Sequence, residues 1–227
     1  MPPMTREQEH VAARREAFAH LDRMRDHWWW RPGWRLGRSF YTFHVTFDGA
    51  PEVAELAGHY RAALDLPGLD PVPDEGLHLT MQGIGFTDEV TDADLAAIVE
   101  AARVRLACLA PFDVELGPVD ADREAVMLQV APWAPLDELR TAVREAIGSV
   151  WGDGRVPDRV GPWTPHVSVA YSGADAPAEP LRQRIAAAEP RTARTTIAAA
   201  QLINLNRDEQ VYRWSTVAAL PLGTSGE

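Results

Sequence analysis

The sequence predicts a mixed fold of helices and strands, built from two halves that repeat one order of elements. Between residues 39 and 222, segments with alternating apolar residues are separated by segments with helical spacing of apolar residues. Each half reads strand, helix, strand, helix, strand. A proline near a helix start, with a histidine on the next strand, occurs as Pro51 with His78 and again as Pro135 with His166.

The individual elements follow from periodicity and residue type. Alternating aromatic and β-branched residues indicate strands, and apolar residues three and four apart indicate helices. The predicted strands are residues 39–48, 77–86, 112–119, 124–132, 165–172, 195–205 and 211–222. The predicted helices between them are residues 51–64, 91–109, 134–151 and 178–189.

An N-terminal segment precedes the repeated halves. From Thr5 to about His27 the spacing predicts a polar helix with one apolar stripe. A tryptophan-rich turn follows, from Trp28 to Arg38, and its rings either pack on the body of the protein or stack on a base. The expected parts are an N-terminal extension, residues 1–38; a bilobal domain, residues 39–220; and a flexible tail, residues 221–227.

Composition and charge restrict the classes of function. The chain has 227 residues, which suffice for one sizeable core or for two small lobes that share one. Its net charge of −11 repels long polyanions, so we expect no binding of long duplex nucleic acid. This charge is compatible with a small nucleotide in a local pocket.

Segment composition also predicts the cellular location. No apolar run is long enough to span a membrane, and no basic-then-apolar leader is present. The single cysteine, Cys108, fits a reducing compartment, and its expected place is the apolar face of a helix. We therefore expect a cytoplasmic monomer without membrane partners.

Two short histidine motifs occupy equivalent strands of the two halves. They read His78-Leu-Thr80-Met and His166-Val-Ser168-Val. In a strand, residues two apart point to the same face, so each motif places an imidazole beside a hydroxyl. A pseudo-twofold relation between the lobes would turn both faces toward one groove, which would then hold two histidines and two hydroxyls.

This set of groups suits displacement at phosphorus without a metal ion. In-line attack requires a base at the entering oxygen and an acid at the leaving oxygen, on opposite sides of the phosphorus. Imidazole titrates near neutrality, so His78 and His166 can share these two roles in either order. Thr80 and Ser168 would donate hydrogen bonds to the non-bridging oxygens, which carry the developing charge.

Other residues near the motifs are candidates for the groove. Gln82 and Ala170 lie two residues beyond each hydroxyl and are expected to face the groove, with Gln82 as a phosphate or base contact. A third copy of the pattern, His44 with Thr46, has no histidine counterpart in the second half. His44 is therefore either a groove residue or a hydrogen-bonded histidine of the strand.

The doubled motif on repeated strand–helix units resembles the two-histidine (2H) phosphoesterase superfamily, in its branch of 2′-5′ RNA ligase-like proteins and cyclic phosphodiesterases. The resemblance covers residues 39–220. It implies an α+β fold of two pseudo-twofold-related lobes, each an antiparallel sheet flanked by helices, with a central groove. It also implies a phosphodiesterase that needs no cofactor and acts on 2′,3′-cyclic phosphates or 2′-5′ linkages in RNA ends or small nucleotides. The catalytic residues that it implies are His78, Thr80, His166 and Ser168.

The chain departs from the family pattern after the second motif. Many members carry a basic residue there, where this chain has Ala170 and Tyr171. Part of the phosphate binding is then expected to come from elsewhere in the chain, or the substrate differs. The candidate substrate-binding residues are Tyr41, His44, Gln82, Trp163 and Tyr171.

Three other functions compete with this prediction. A binding protein could keep the groove without catalysis, and a turnover assay on 2′,3′-cyclic nucleotides distinguishes the two. A metallohydrolase needs ligands at a spacing such as H-E-x-x-H, which the sequence lacks. A general RNA-binding protein is disfavoured by the acidic charge, although Arg31, Arg35 and Arg38 form a basic cluster that either meets a phosphate or is solvated.

Overall fold

Within residues 4–157 and 163–223, which the computed structural model describes, two larger antiparallel sheets are flanked by helices. The helices are α1 (Arg6–Ala19), α2 (Pro51–Ala63), α3 (Asp92–Leu106), α4 (Trp133–Trp151) and α5 (Glu179–Ala187). The strands are β1 (Arg23–Met24), β2 (Phe40–Thr46), β3 (Leu69–Pro71), β4 (His78–Phe86), β5 (Phe112–Ala121), β6 (Ala125–Ala131), β7 (His166–Ser172), β8 (Ala176–Pro177), β9 (Ala193–Ile197), β10 (Ala199–Asn206) and β11 (Arg213–Pro221).

The sheets confirm the predicted α+β fold with two antiparallel sheets. One sheet has the strand order β11-β10-β2-β4 and the other has the order β3-β7-β6-β5-β9. The pairs β2–β4 and β6–β7 are equivalent, because each contains one histidine motif and is connected through one helix, α2 or α4. A short pairing of β1 with β8 lies outside both sheets.

Each half of the sequence gives its last strand to the sheet of the other half. Strand β5 ends the first half but pairs with β6, to which a three-residue turn at 122–124 joins it. In return, β10 of the second half pairs with β2 of the first half. The exchange ties the two sheets together, because neither half of the chain can complete its sheet alone.

Both histidine strands contain a bulge at the same place. The pairing of β4 with β2 skips Met81, and the pairing of β7 with β6 skips Val169. A bulge inserts one extra residue into a strand and reverses which face the following side chains occupy. The bulge thus changes the alternation of side chains between the start of each motif and the residues after it.

Helix α4 shows how apolar spacing fixes a helix next to the site. Leu136, Leu139, Val143 and Ile147 recur three and four residues apart, and all four side chains are fully buried. This stripe packs α4 against α3 and β4. No described helix has the length and apolar character needed to cross a membrane.

The N-terminal helix is shorter than its periodicity predicts. A capping box starts it, in which the Thr5 hydroxyl accepts from the backbone N–H of Gln8 and the Gln8 side chain accepts from that of Thr5. The helix ends at Ala19 rather than near His27, because the chain turns to pair β1 with β8 and so buries Met24.

Three further predictions differ from the structure in detail. Cys108 is exposed and follows the last residue of α3, so it does not lie on the apolar face of a helix as predicted. The predicted strand at 195–205 divides at Ala198 into β9 and β10, which belong to different sheets. Of the predicted flexible tail, residues 224–227 lie outside the described residues, while Leu222 is buried and its N–H donates to Ala198.

A buried ion pair joins α1 to the second sheet. Arg14 donates from Nε to Oδ2 of Asp120 at 2.8 Å, and the two side chains are 11% and 4% exposed. Asp120 lies on β5, so this pair connects the N-terminal extension to the sheet.

We predict that Arg14→Ala lowers the free energy of unfolding by about 3 kcal/mol, because it leaves the Asp120 carboxylate buried without its cation. Denaturant unfolding followed by tryptophan fluorescence measures this loss. Arg15→Ala removes the same charge from the exposed side of the same helix and is the matched control. Equal losses in the two variants would contradict the assigned role of the pair.

Candidate active site

The two motif histidines begin their strands and are held by the same kind of hydrogen bond. Nδ1 of His78 is 2.7 Å from the carbonyl oxygen of Gly76, and Nδ1 of His166 is 2.9 Å from that of Thr164. A carbonyl oxygen only accepts, so Nδ1 carries the proton in both rings. In the neutral form of either ring, the lone pair is therefore on Nε2, the position from which a proton can be taken up.

One cleft brings the two motifs together. His78, Thr80, His166 and Ser168 all line a cleft of about 600 Å³ between the two sheets. Small-molecule sites commonly have volumes of about 300–1,000 Å³. The cleft therefore has room for a nucleotide-sized ligand beside both imidazoles and both hydroxyls.

His44 belongs to the same cluster and packs against His78 of the first motif. Its ring stacks on that of His78, with centroids 4.4 Å apart and planes inclined by 5°. Its Nε2 is 3.3 Å from the Thr80 hydroxyl, and its buried Nδ1 has no partner among the described residues. A buried N–H without a partner is rarer than a buried acceptor without one, so the proton belongs on Nε2. The Thr80 hydroxyl then accepts from His44 and keeps its own proton for a ligand.

Burial keeps both stacked rings neutral. Burial lowers the pKa of His78 to about 4, while the Gly76 carbonyl opposes this and the charges of His166 and His27 reinforce it. Burial, with a contribution from the His78 charge, also holds the pKa of His44 well below its usual value. At neutral pH, His78 is therefore an unprotonated imidazole.

The bulge at Val169 decides which residue after the second motif reaches the cleft. Tyr171 lines the cleft, where its ring stacks on that of His27 with centroids 4.0 Å apart. Ala170, which simple alternation places in the groove, packs in the core instead. The prediction for Ala170 was wrong because it assumed an unbroken strand.

Gln82 lies at the cleft wall with its amide already engaged. Its Oε1 accepts from Arg140 at 3.1 Å and from Arg144 at 2.9 Å, and its Nε2 donates to the Pro157 carbonyl at 2.7 Å. Both arginines lie on α4. The amide of Gln82 thus fixes Arg140, which itself lines the cleft.

The other two candidates lie in different places. Trp163 lines the cleft and donates from Nε1 to the Thr80 carbonyl at 3.0 Å, and the Arg140 guanidinium lies 5.2 Å from its ring centroid. Tyr41 alternates with Phe40 and Thr42, which line the cleft, and its own side chain packs on the core. Among the residues that the structure describes, the cleft lining does not include Tyr41.

The N-terminal extension completes one end of the cleft. His27, Arg31 and Trp34 line it, together with Arg207 and Tyr212 from the loop between β10 and β11. The sequence offered one signal for this part, the mixed tryptophan and arginine cluster at residues 28–38. Nothing in the local sequence singles out Arg207, because its neighbours in the cleft come from distant parts of the chain.

Within the part of the chain that the structure describes, neither a metal site nor another cavity combines these features. Among the described residues, no group of three or more histidine, cysteine, aspartate or glutamate side chains is placed to hold a metal ion. A further cavity of about 430 Å³ between α1 and α5 is lined mainly by apolar side chains and contains no histidine. The two-histidine cleft is therefore the candidate active site.

Solved structures share the fold at low sequence identity. TT0787 of Thermus thermophilus is 18% identical, with a TM-score of 0.63, and the match covers 82% of this chain and 100% of that chain. A phosphoesterase structure is 17% identical with a TM-score of 0.64, and the match covers 82% of this chain and 99% of that one. E. coli LigT in complex with NADP+ is 18% identical with a TM-score of 0.61, and the match covers 82% and 98%.

Sequence comparison identifies the family. A search of curated protein sequences finds no match. The family model described as the 2′-5′ RNA ligase superfamily matches residues 48–209, which include both histidine motifs. Because this match spans more than half of the chain and agrees with the fold and the doubled motif, the chain belongs to the 2′-5′ RNA ligase superfamily of two-histidine phosphoesterases.

Proposed function

We propose that the protein is a metal-independent phosphodiesterase that acts on 2′,3′-cyclic phosphates or 2′-5′ linkages in RNA ends or small nucleotides. The observation that carries this proposal is the pair of imidazoles in one cleft, each oriented by a carbonyl at Nδ1. Complexes of the fold relative E. coli LigT with 3′-AMP and with ATP support a nucleotide as the ligand.

The environments of the two histidines favour one assignment of roles. His78 is 8% exposed and neutral at neutral pH, so it acts as the base. It takes a proton from the attacking water as the new bond from oxygen to phosphorus forms. His166, which is less buried, gives a proton to the ribose oxygen as the bond from phosphorus to that oxygen breaks. After this step His78 is protonated and His166 is neutral. The pair then has the protonation states that the reverse reaction requires.

The hydroxyls stabilise the charge that develops on the non-bridging oxygens. Thr80 donates to one of these oxygens because His44 already supplies the hydrogen bond that the hydroxyl accepts. Ser168, which also lines the cleft, donates to the other oxygen. His44 is thus a positioning residue for Thr80 and does not itself touch the phosphate.

A cytoplasmic location and a monomeric state stay predictions.

The direct test of the proposed function is turnover of adenosine 2′,3′-cyclic phosphate in the presence of excess chelator. We expect activity to persist, and His78→Gln and His166→Gln each to lower kcat by about a hundredfold to ten-thousandfold, as for a positioned acid or base. The double variant should lose much less than the product of the two, because the groups act in one step. His59→Gln, on α2, is the matched control.

Two outcomes would contradict the proposal. Binding of the nucleotide without turnover would indicate a non-catalytic sensor of nucleotides or RNA ends. Loss of turnover with chelator, restored by zinc or manganese, would indicate a metallohydrolase.

The depressed pKa of His78 predicts the acid limb of the pH profile. A base works only when it is unprotonated, so kcat/KM should be retained as the pH falls below 6.5 and should be lost near pH 4. Initial rates measured after brief exposure to each pH, with recovery at pH 7 as a check on folding, give this limb. An acid limb at or above pH 6.5 would contradict the assignment of His78 as the base.

A double-mutant cycle tests whether His44 acts through Thr80. His44→Leu should lower kcat about fivefold, the value of one ordinary hydrogen bond, and Thr80→Ala should lower it by about tenfold to hundredfold. The double variant should have the same kcat as Thr80→Ala, because the hydrogen bond from His44 is already lost once the Thr80 hydroxyl is removed. His44→Gln keeps a donor at similar reach and should restore most of the activity. Multiplicative losses would instead show that His44 acts independently of Thr80, which would contradict its assigned role.

A further inference from the structure

Arg207 is a buried cation at the end of the cleft formed by the N-terminal extension. It is 3% exposed, yet it lines the cleft. Its Nη2 donates to the His27 carbonyl at 2.8 Å, and its Cζ lies 5.4 Å from the ring centroid of Trp28 and 5.8 Å from those of Trp34 and Tyr212. Among the residues that the structure describes, no carboxylate lies within ion-pair distance of this guanidinium.

Burying the charge of Arg207 in this environment costs free energy unless an anion binds the guanidinium. Burial lowers the pKa of Arg207, which shows that its charged form is poorly solvated there. The surrounding rings offset part of this cost through cation–π contacts. They do not satisfy the N–H donors in the plane of the guanidinium, of which the described contacts use one. A bidentate oxyanion is the partner that this geometry suits.

The acidic groups nearby are already occupied. The Glu124 carboxylate accepts from Arg31 at 2.7 Å and lies 3.7 Å from Arg25. Asp122 also lines the cleft, where its Oδ1 accepts the backbone N–H groups of Glu124 and Ala125. The charges of Arg25 and Arg31 are therefore shared with Glu124, and Arg207 keeps its charge for a ligand.

The aromatic ring of Tyr212 lies between Arg207 and His78. The ring centroid of Tyr212 is 5.8 Å from that of His78 and 5.8 Å from Cζ of Arg207. A ligand group on Arg207 is thus beside the phosphate under attack and separate from it.

We propose that Arg207 binds the 5′-side phosphate of a nucleotide whose 2′,3′-cyclic phosphate lies between His78 and His166. This inference rests on the proposed function. At an RNA end with a 2′,3′-cyclic phosphate, the other phosphate of the terminal nucleotide is on its 5′ side. The preferred substrates are then 5′-phosphorylated nucleotides and RNA 3′ ends, rather than nucleoside cyclic phosphates. Arg207 also supplies a cation for phosphate in a chain that has Ala170 and Tyr171 after its second motif.

The test compares two substrates that differ by one phosphate. Wild-type protein should cleave 5′-phosphoadenosine 2′,3′-cyclic phosphate with a kcat/KM about tenfold to hundredfold above that for adenosine 2′,3′-cyclic phosphate, as expected for charge-assisted hydrogen bonds. In Arg207→Gln this ratio should fall to about one. Arg213→Gln, which removes an exposed arginine at the start of β11 that pairs with Glu209, should keep the wild-type ratio. Equal kcat/KM values in the wild type, or an unchanged ratio in Arg207→Gln, would overturn the proposal.

A binding measurement on the wild type removes the dependence on turnover and on the folding of a variant. Isothermal titration should show tighter binding of adenosine 3′,5′-bisphosphate than of 3′-AMP, again by about tenfold or more. Equal affinities would refute the site for the second phosphate. If both cyclic substrates are cleaved equally, the proposed function stands and the Arg207 site fails. If neither is cleaved but the bisphosphate binds more tightly, the Arg207 site stands and the proposed function fails.

Discussion

The paired bulges at Met81 and Val169 determine which side chains the cleft contains. Before each bulge, the groove face of the strand carries a histidine and a hydroxyl two residues later. The extra residue shifts the alternation by one on β7, where Tyr171 rather than Ala170 lines the cleft, whereas on β4 the residues Met81, Gln82 and Gly83 all line it. The bulges therefore let one strand present a histidine and a hydroxyl to the cleft at its start and other side chains further along, while its apolar residues remain in the core.

The cleft differs in charge from the rest of the protein. The chain carries a net charge of −11, yet the cleft is lined by three arginines, Arg31, Arg140 and Arg207, and by only two carboxylates among the described residues, Asp122 and Glu124. Acidic surroundings reduce the attraction of a long polyanion, because its charge must approach over a large area. A short ligand with one or two phosphates meets mainly the local groups, of which Arg140 and Arg207 lie at the wall. This contrast favours small nucleotides and chain ends over extended nucleic acid.

The fold and the two motifs could be predicted because their signals are local, while most of the cleft wall depends on distant contacts. A histidine and a hydroxyl two residues apart share a face of any strand, which suffices to pair His78 with Thr80. The place of Tyr171 depends on a bulge that appears only when β7 pairs with β6. Arg207 meets the carbonyl of His27 across 180 positions of sequence, so no local pattern reveals it. Cys108 was misplaced because helical periodicity continues past the end of α3.

The strand pairing at the two motifs is alike, but the neighbouring side chains differ, and this difference gives the two histidines different environments. Strand pairing places His44 opposite Thr80 in one sheet and Met127 opposite Ser168 in the other. The first motif thus has a second imidazole behind it, which excludes water from His78 and keeps that ring neutral. A thioether cannot supply the matching hydrogen bond to Ser168. The two motif histidines thus have different environments, one buried and one more exposed, and the proposed assignment of His78 as the base and His166 as the acid rests on this difference.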